Sequence, residues 1–125
     1  KGFRLETIIH SSATVSRFTT VGEGCFIGPS VVINSDARVS EYAIINSASV
    51  IEHDCEIGTA AHISPSSVLS GCVLVCCRIC VCASSCARHL IIIFDYVFIF
   101  ACCRVVKDVL SGTVVVGNPA RLLCN

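Results

Sequence analysis

His53 is the residue of this 125-residue chain whose surroundings best suit acid–base chemistry. It lies between Glu52 and Asp54, whose carboxylates could hold a protonated imidazole in place. Such an arrangement suits a general base that takes a proton from an amine or a hydroxyl group. On these residues alone, a histidine on a coil surface is most often a solvated residue without a function.

Cysteine is the other abundant reactive residue, with eleven in the chain. The odd number and the close clusters between Cys76 and Cys103 favour free thiols over a disulfide framework. The CxxC motif Cys77-Arg-Ile-Cys80 lacks the second pair that would make a structural zinc site convincing. These cysteines are therefore expected to act mainly as small apolar residues.

A six-residue repeat runs from Ile9 to Val105 without an insertion. Because His53 and most of the cysteines lie within it, the repeat must position these side chains. We number the places of each unit one to six, starting from the large aliphatic residue. The position-one residues are Ile9, Val15, Val21, Ile27, Ile33, Val39, Ile45, Ile51, Ile57, Ile63, Leu69, Val75, Val81, Ala87, Ile93, Ile99 and Val105. Position five is mostly a small or medium residue.

A period of six fits neither an amphipathic helix nor a hairpin meander. It fits a triangular coil, in which three units close a turn of 18 residues and equal positions stack about 4.8 Å apart. The sequence therefore predicts an all-β fold, a parallel β-helix of hexapeptide repeats with three strands per 18-residue coil. We assign residues 1–8 to a linker remnant, 9–110 to the β-helix and 111–125 to a capping tail.

Turn chemistry differs between the two halves of the chain. Three early units carry glycine at position two, where a permissive backbone is expected: Gly22, Gly28 and Gly58. Three later units carry large or reactive residues at that place: Cys82, Phe94 and Phe100. Residues 76–104 thus keep the hydrophobic period but lose the expected turn residues. Either the coil is divergent and inactive, or the sequence is partly incorrect there.

The repeat also sets the distance between histidines. His53 and His89 share position three and are two coils apart, which predicts a separation of roughly 10 Å. That distance is too long for one metal ion within a single chain, so no metal is expected. A zinc site between copies of the chain stays open.

Two stretches carry a resemblance to a known family. One is Asn46-Ser-Ala-Ser-Val-Ile-Glu-His-Asp-Cys-Glu-Ile-Gly58, followed by His62 and Leu69-Ser-Gly71. The other is Val105-Val-Lys-Asp-Val with Gly117-Asn-Pro-Ala120. With the repeat, they resemble the left-handed β-helix acetyltransferases, and among these the sialic-acid O-acetyltransferase and UDP-4-amino-sugar N-acetyltransferase group. The left hand of the coil is implied by this resemblance.

The resemblance implies an acetyltransferase that moves acetyl from acetyl-CoA to an amino or hydroxyl group of a nucleotide-linked sugar. It implies His53 as the general base and Asp54 as the acidic residue that supports it. It also implies a homotrimer with sites between its copies, and a sugar-binding α/β domain ahead of the coil.

Binding residues follow from the same resemblance. His62 corresponds to a residue that contacts acetyl-CoA, and the Gly71 N–H to a donor for the thioester oxygen. Ala83 and Ala101 remain from the small residues that line the cofactor. Asn46 corresponds to a polar contact with the sugar. The alternatives are a solvated histidine at 62, a plain corner glycine at 71 and a turn residue at 46.

Two other functions stay open. A β-helix can be a non-catalytic assembly module, since a fold does not fix a function. It can also resemble the carbonic anhydrases of this fold, which hold zinc between subunits. Those need a third histidine shortly after the second, whereas residue 94 is Phe.

Composition excludes several classes of partner. The formal net charge is zero, so neither nucleic acid nor an anionic membrane surface is an expected partner. The longest apolar stretch, Leu90 to Cys103, is interrupted by Asp95 and is too short to span a bilayer. The first residues do not resemble a signal peptide, which favours a cytoplasmic protein.

Overall fold

A computed structural model describes residues 2–123; residue 1 of the predicted linker and residues 124 and 125 of the predicted tail lie outside them. Each strand is two or three residues long. The strands are β1 (Ile8–Ile9), β2 (Thr14–Val15), β3 (Thr20–Val21), β4 (Phe26–Ile27), β5 (Val32–Ile33), β6 (Arg38–Val39), β7 (Ile44–Ile45), β8 (Val50–Ile51), β9 (Glu56–Ile57), β10 (His62–Ile63), β11 (Val68–Leu69), β12 (Leu74–Val75), β13 (Cys80–Val81), β14 (Cys86–Ala87), β15 (Ile92–Ile93), β16 (Phe98–Ile99), β17 (Arg104–Val105), β18 (Val114–Val116) and β19 (Arg121–Leu122).

The strands of the repeat, β1 to β17, form three parallel sheets, in which each pairs with the strands 18 residues away, such as His62 with Ile44 and Cys80. Sheet A has the order β1-β4-β7-β10-β13-β16-β18-β19. Sheet B has the order β17-β14-β11-β8-β5-β2, and sheet C the order β15-β12-β9-β6-β3. The predicted all-β parallel β-helix with three strands per coil is confirmed. Nothing in residues 2–123 forms a helix long and apolar enough to cross a membrane.

The core follows the two series that the repeat defines. From Ile27 to Val105 the position-one side chains are at most 3% exposed, because each strand turns position one inward and position six outward. Position five is equally buried at the corners, as at Ala43 and Val73. One continuous apolar column therefore fills the triangular coil.

Buried polar residues at position five complete the corners. The hydroxyls of Ser49, Ser67 and Ser85 donate to backbone carbonyls 15 residues later, at 2.8–3.1 Å. The thiol of Cys55 donates in the same way to the Ser70 carbonyl at 3.1 Å. Each small donor satisfies a carbonyl that the sheets leave unpaired, so burying these groups is not costly.

The corners bend at position four, and not at position two as the glycines suggested. Thirteen residues other than glycine have a positive φ, all at position four: Ser30, Asp36, Tyr42, Ala48, Asp54, Ala60, Ser66, Cys72, Arg78, Ser84, Leu90, Tyr96 and Cys102. The expectation that position two needs a flexible backbone is therefore wrong. Phe94 and Phe100 keep their corners intact and lie partly exposed, so residues 76–104 form regular coils.

Glycine at position two serves close approach to the next coil. A Cβ on Gly58 would lie 2.5 Å from the carbonyl carbon and oxygen of Cys76. A Cβ on Gly28 would lie 3.1 Å from the backbone nitrogen of Ser47. The coils are thus tightest beside Gly58.

The tail covers the end of all three sheets. On sheet A, β18 pairs in parallel with β16 and β19 pairs antiparallel with β18. On sheet B, Arg104 donates its N–H to Gly117 and accepts from Ala120. On sheet C, Val109 forms a bridge with Ile93. The last coil therefore has backbone partners on every side.

Gly58→Ala should destabilise the coil by about 1–3 kcal/mol, because the new methyl group meets backbone that cannot move aside. Gly28→Ala is the matched control, since it also follows a position-one isoleucine and restricts the unfolded chain equally. Urea unfolding of both variants measures the difference. Equal losses would show that close approach at Cys76 does not require the glycine.

Candidate functional site

His53 lies on the corner between sheets B and C, two residues after β8 ends. Its Nδ1 is 2.9 Å from Oδ2 of Asp54, and both side chains are about half exposed. Asp54 has a φ of 59°, the left-handed conformation of position four. The other flanking carboxylate does not share this role, since Oε2 of Glu52 accepts a hydrogen bond from Asn34 at 3.0 Å.

Gly71 lies one coil after His53 and leaves the space that the imidazole occupies. A Cβ at residue 71 would be 2.6 Å from both Cε1 and Nε2 of His53. Gly71 has no positive φ, so the ring, and not the backbone angle, accounts for the missing side chain. We call this space above Gly71 the slot.

His89 enters the slot from the coil on the other side. Its Nδ1 would be 3.1 Å from the same Cβ position, and its ring centroid is 6.2 Å from that of His53. The predicted separation of about 10 Å is therefore wrong for the rings, because Gly71 carries no side chain to hold them apart. Spacing alone showed that the two histidines share a column, and Gly71 was the signal that their rings could meet.

Cys72 is a further residue of this corner that the sequence analysis did not single out. His53, Asp54 and Cys72 each place one potential ligand atom within 4.8 Å of the others. Desolvation raises the pKa of the thiol of the buried neighbour Cys55 to about 11. We name His53, Asp54, Gly71, Cys72 and His89 the histidine corner.

A second group of predicted residues lies on sheet A and on the corner that follows it. His62 belongs to β10, and its Nε2 is 3.5 Å from Nδ2 of Asn46, which follows β7. Ser47 donates its backbone N–H to Oδ1 of Asn46 at 2.8 Å, which fixes that side chain. The structure therefore brings Asn46 and His62 together.

Ala83 and Ala101 stack in one column of the same corner, 18 residues apart, after β13 and β16. Phe100 lies beside Ala101, is 41% exposed and stacks edge-on against Phe98 at 5.4 Å. Desolvation raises the pKa of the nearby Cys82 thiol to about 11, with a smaller effect from Cys80. An exposed aromatic ring and the Cys82 thiol therefore lie beside the two alanines.

The two groups stand on different corners of the triangular coil, with sheet B between them. The corner between sheets B and C holds His53, Asp54 and Gly71. Sheet A and the corner between sheets A and B hold Asn46, His62, Ala83 and Ala101. Within one chain the structure therefore does not unite the predicted base with the predicted cofactor residues.

Comparison with known proteins gives a clear structural result. Neither a protein-family model nor a curated protein matches the chain. A variant of the perosamine N-acetyltransferase from Caulobacter crescentus, solved with CoA and GDP-perosamine, is similar over 99% of this chain and 59% of its own. The identity is 33% and the TM-score 0.98.

Two further solved structures agree. The acetyltransferase domain of PglB from Neisseria gonorrhoeae, solved with acetyl coenzyme A, is 31% identical, with a TM-score of 0.95 over 98% of this chain and 60% of its own. WeeI from Acinetobacter baumannii, at 23% identity and a TM-score of 0.90, covers 92% of this chain and 57% of its own, and shares the fold. The chain thus spans about three fifths of the length of these proteins.

Gly71→Ala should push the His53 ring out of the slot while the coil stays folded, because a half-exposed side chain can turn away from the new methyl group. A crystal structure of the variant should show the His53 and His89 centroids farther apart than 6.2 Å. Its urea midpoint should barely move. A ring that stays in place would mean that Gly71 does not make its room.

Proposed function

The chain is a hexapeptide-repeat β-helix of the kind found in acetyl-CoA-dependent sugar acetyltransferases, and from this we propose that it transfers acetyl from acetyl-CoA to a nucleotide-linked sugar. The accepting atom is an amino nitrogen or a hydroxyl oxygen. GDP-perosamine and CoA lie in the Caulobacter neighbour, which supports an amino sugar as the acceptor.

One observation carries the proposal most directly, namely the pairing of His53 with Asp54 at the slot. If Nδ1–H donates to Oδ2 of Asp54 across 2.9 Å, the lone pair of the imidazole is on Nε2. Nε2 faces the slot above Gly71. A base with a fixed tautomer and an accessible nitrogen is what removal of a proton from an amine requires.

The reaction needs no covalent intermediate on the protein. The acceptor nitrogen or oxygen attacks the carbonyl carbon of the thioester while Nε2 of His53 takes its proton. The tetrahedral intermediate then collapses, the carbon–sulfur bond breaks, and the CoA thiolate leaves and takes up the proton held by His53, which restores the neutral base. A thioester is already activated, so orientation and one base are sufficient.

The backbone of Gly71 is suited to stabilise the negative charge on the thioester oxygen. Its N–H makes no hydrogen bond within residues 2–123, since the neighbouring donors Ser70 and Cys72 are the ones paired with adjacent coils. A free N–H close to the base can donate to the oxygen of the tetrahedral intermediate. This role is part of the proposal, like those of Asn46, His62, Ala83 and Ala101.

A homotrimer would unite the two groups of residues. The histidine corner of one copy would lie against sheet A of the next, which brings His53 to the acetyl-CoA held by His62, Ala83 and Ala101 of that copy. Closed rotational symmetry repeats such a contact around the ring without leaving an open face.

The outer face of sheet A supports this assembly. The position-six residues of its stacked strands form one stripe, consisting of Ile8, Phe26, Ile44, His62, Cys80 and Phe98. Ile8, Phe26, Ile44 and Phe98 are 38–59% exposed in the single chain. A mainly apolar stripe of this kind, interrupted by His62, is typical of a surface that a partner covers.

We place the protein in the cytoplasm. All ten cysteines of the described residues are free thiols, which fits a reducing compartment.

His53→Ala should lower the acetyl transfer rate by about 10²–10⁴-fold, because the general base is lost. Acetyl-CoA affinity should hardly change, since His62 and the alanines bind it. Asp54→Asn should give a smaller loss, because it removes the partner of Nδ1 but not the base. Transfer assays with an amino-sugar nucleotide and calorimetry with acetyl-CoA measure both quantities.

His10→Ala is the matched control, since the exposed ring of His10 forms hydrogen bonds only with Ser12 among residues 2–123. It should keep normal rates. If His53→Ala also kept near-normal turnover, His53 would be an ordinary surface residue and the mechanism would be wrong. The longest available form of the protein should be assayed with saturating acceptor.

Mixed trimers test the shared site. Ala101→Trp should block the cofactor surface and His53→Ala should remove the base, so each variant alone should be inactive. Trimers assembled from both should regain roughly a quarter of the wild-type activity, because some sites then combine the two intact surfaces. Light scattering should give the mass of three chains. A monomer mass, or mixed trimers without activity, would contradict a site shared between copies.

A further inference from the structure

The slot gathers metal-ligating side chains from three successive coils. His53 and Asp54 come from one coil, Cys72 from the next and His89 from the third. Imidazole nitrogen and thiolate sulfur together are the ligand set that zinc and cobalt prefer. Neither the predicted reaction nor any predicted binding role uses Cys72 or His89.

The two imidazoles approach each other over Gly71. Nε2 of His53 and Nδ1 of His89 lie 2.6 and 3.1 Å from the position of a Cβ on that glycine. With zinc–nitrogen bonds of about 2.0–2.1 Å, two rings bound to one tetrahedral ion have centroids roughly 5.2 Å apart. The observed separation is 6.2 Å, with the rings tilted by 52°, so the rings must move closer by about 1 Å to share an ion.

Cys72 supplies a third ligand, and Asp54 orients the first. The Cys72 thiol, the Asp54 carboxylate and the His53 ring have potential ligand atoms within 4.8 Å of one another. Because Asp54 already contacts Nδ1 of His53, it would hold the ring with Nε2 directed at the ion, as carboxylates do for metal-bound histidines. Nδ1 of His89 lies outside this group. His89 is exposed and the His53 side chain is 53% exposed, so rotation of the two rings can bring His89 into the set.

We propose that Nε2 of His53, Sγ of Cys72 and Nδ1 of His89 bind one divalent transition-metal ion of the zinc class in the slot. Three protein ligands leave a fourth tetrahedral position for water. The Cys72 thiol loses its proton on binding, as thiolate ligation of zinc requires.

Metal binding would suppress acetyl transfer, a consequence that rests on the proposed function. The ion takes the same Nε2 lone pair that accepts the proton from the acceptor sugar. Zinc is therefore a reversible inhibitor in this proposal and not a cofactor. A chelator that removes the ion restores the free base.

Cobalt(II) tests the site without any assay of transfer. Titration of the reduced protein should give one ion per chain, with the visible bands of tetrahedral cobalt and a thiolate-to-cobalt charge-transfer band. Cys72→Ser should remove the charge-transfer band, and His89→Ala should weaken binding at least ~10-fold, the smallest cost usual even for an outer-shell partner. Cys77→Ser and His10→Ala, which alter exposed residues elsewhere, should behave as wild type.

Gly71→Ala adds a steric test, since its methyl group would fill the slot and should also abolish the cobalt spectrum. A charge-transfer band that persists in Cys72→Ser, or equal affinity in His89→Ala and wild type, would overturn the site. The site would also be overturned if substitution of another exposed cysteine reduced cobalt binding as strongly as Cys72→Ser does.

Activity measurements separate this proposal from the proposed function. His89→Ala should transfer acetyl at the wild-type rate but need at least ~10-fold more zinc for half inhibition, since one ligand is gone. Equal inhibition of both would overturn the metal site and leave the acetyltransferase intact. Full activity in His53→Ala would overturn the acetyltransferase mechanism, while the cobalt spectra would still decide the metal site.

Discussion

The 18-residue register of backbone hydrogen bonds is the constraint on which the rest of the structure depends. Backbone N–H groups at regular places in the strands and corners donate to the neighbouring coil, as Cys72 does to His53 and Leu90 to Gly71. Every side chain therefore has fixed neighbours one coil before and one coil after it. The histidine corner is a direct product of this register, since position three of three coils holds His53, Gly71 and His89.

The same constraint explains how much the sequence could predict. The period of six specifies which residues are buried and which strands pair, because a coil leaves no freedom in register. It identified the column of His53 and His89 but not the distance between their rings, which depends on the missing side chain at Gly71. Spacing describes the backbone lattice, whereas the approach of two rings depends on what stands between them.

The corners show the opposite case, in which composition was misleading. Glycine at position two suggested a flexible backbone there, yet the bend lies at position four and accepts aspartate, tyrosine, leucine and cysteine. A local propensity of about 1–2 kcal/mol against the left-handed conformation is overridden at each corner by the stacked hydrogen bonds around it. The sequence analysis named the predicted site residues one by one and did not single out Cys72. The division of those residues between two corners depends on the path of the chain around sheet B.

The tail that covers the last coil has a consequence for the protein as a particle. The end of a stack of parallel coils carries the same backbone donors and acceptors that each inner coil pairs with its neighbour. An uncovered end could therefore pair with another molecule, and the stack could continue as a fibre. Here β19 runs in the opposite direction to every other strand of sheet A, and the pairs at Arg104 and Ile93 occupy the other two edges. A coil of another molecule therefore finds no matching parallel edge at this end of the stack, which disfavours growth into a fibre from this face.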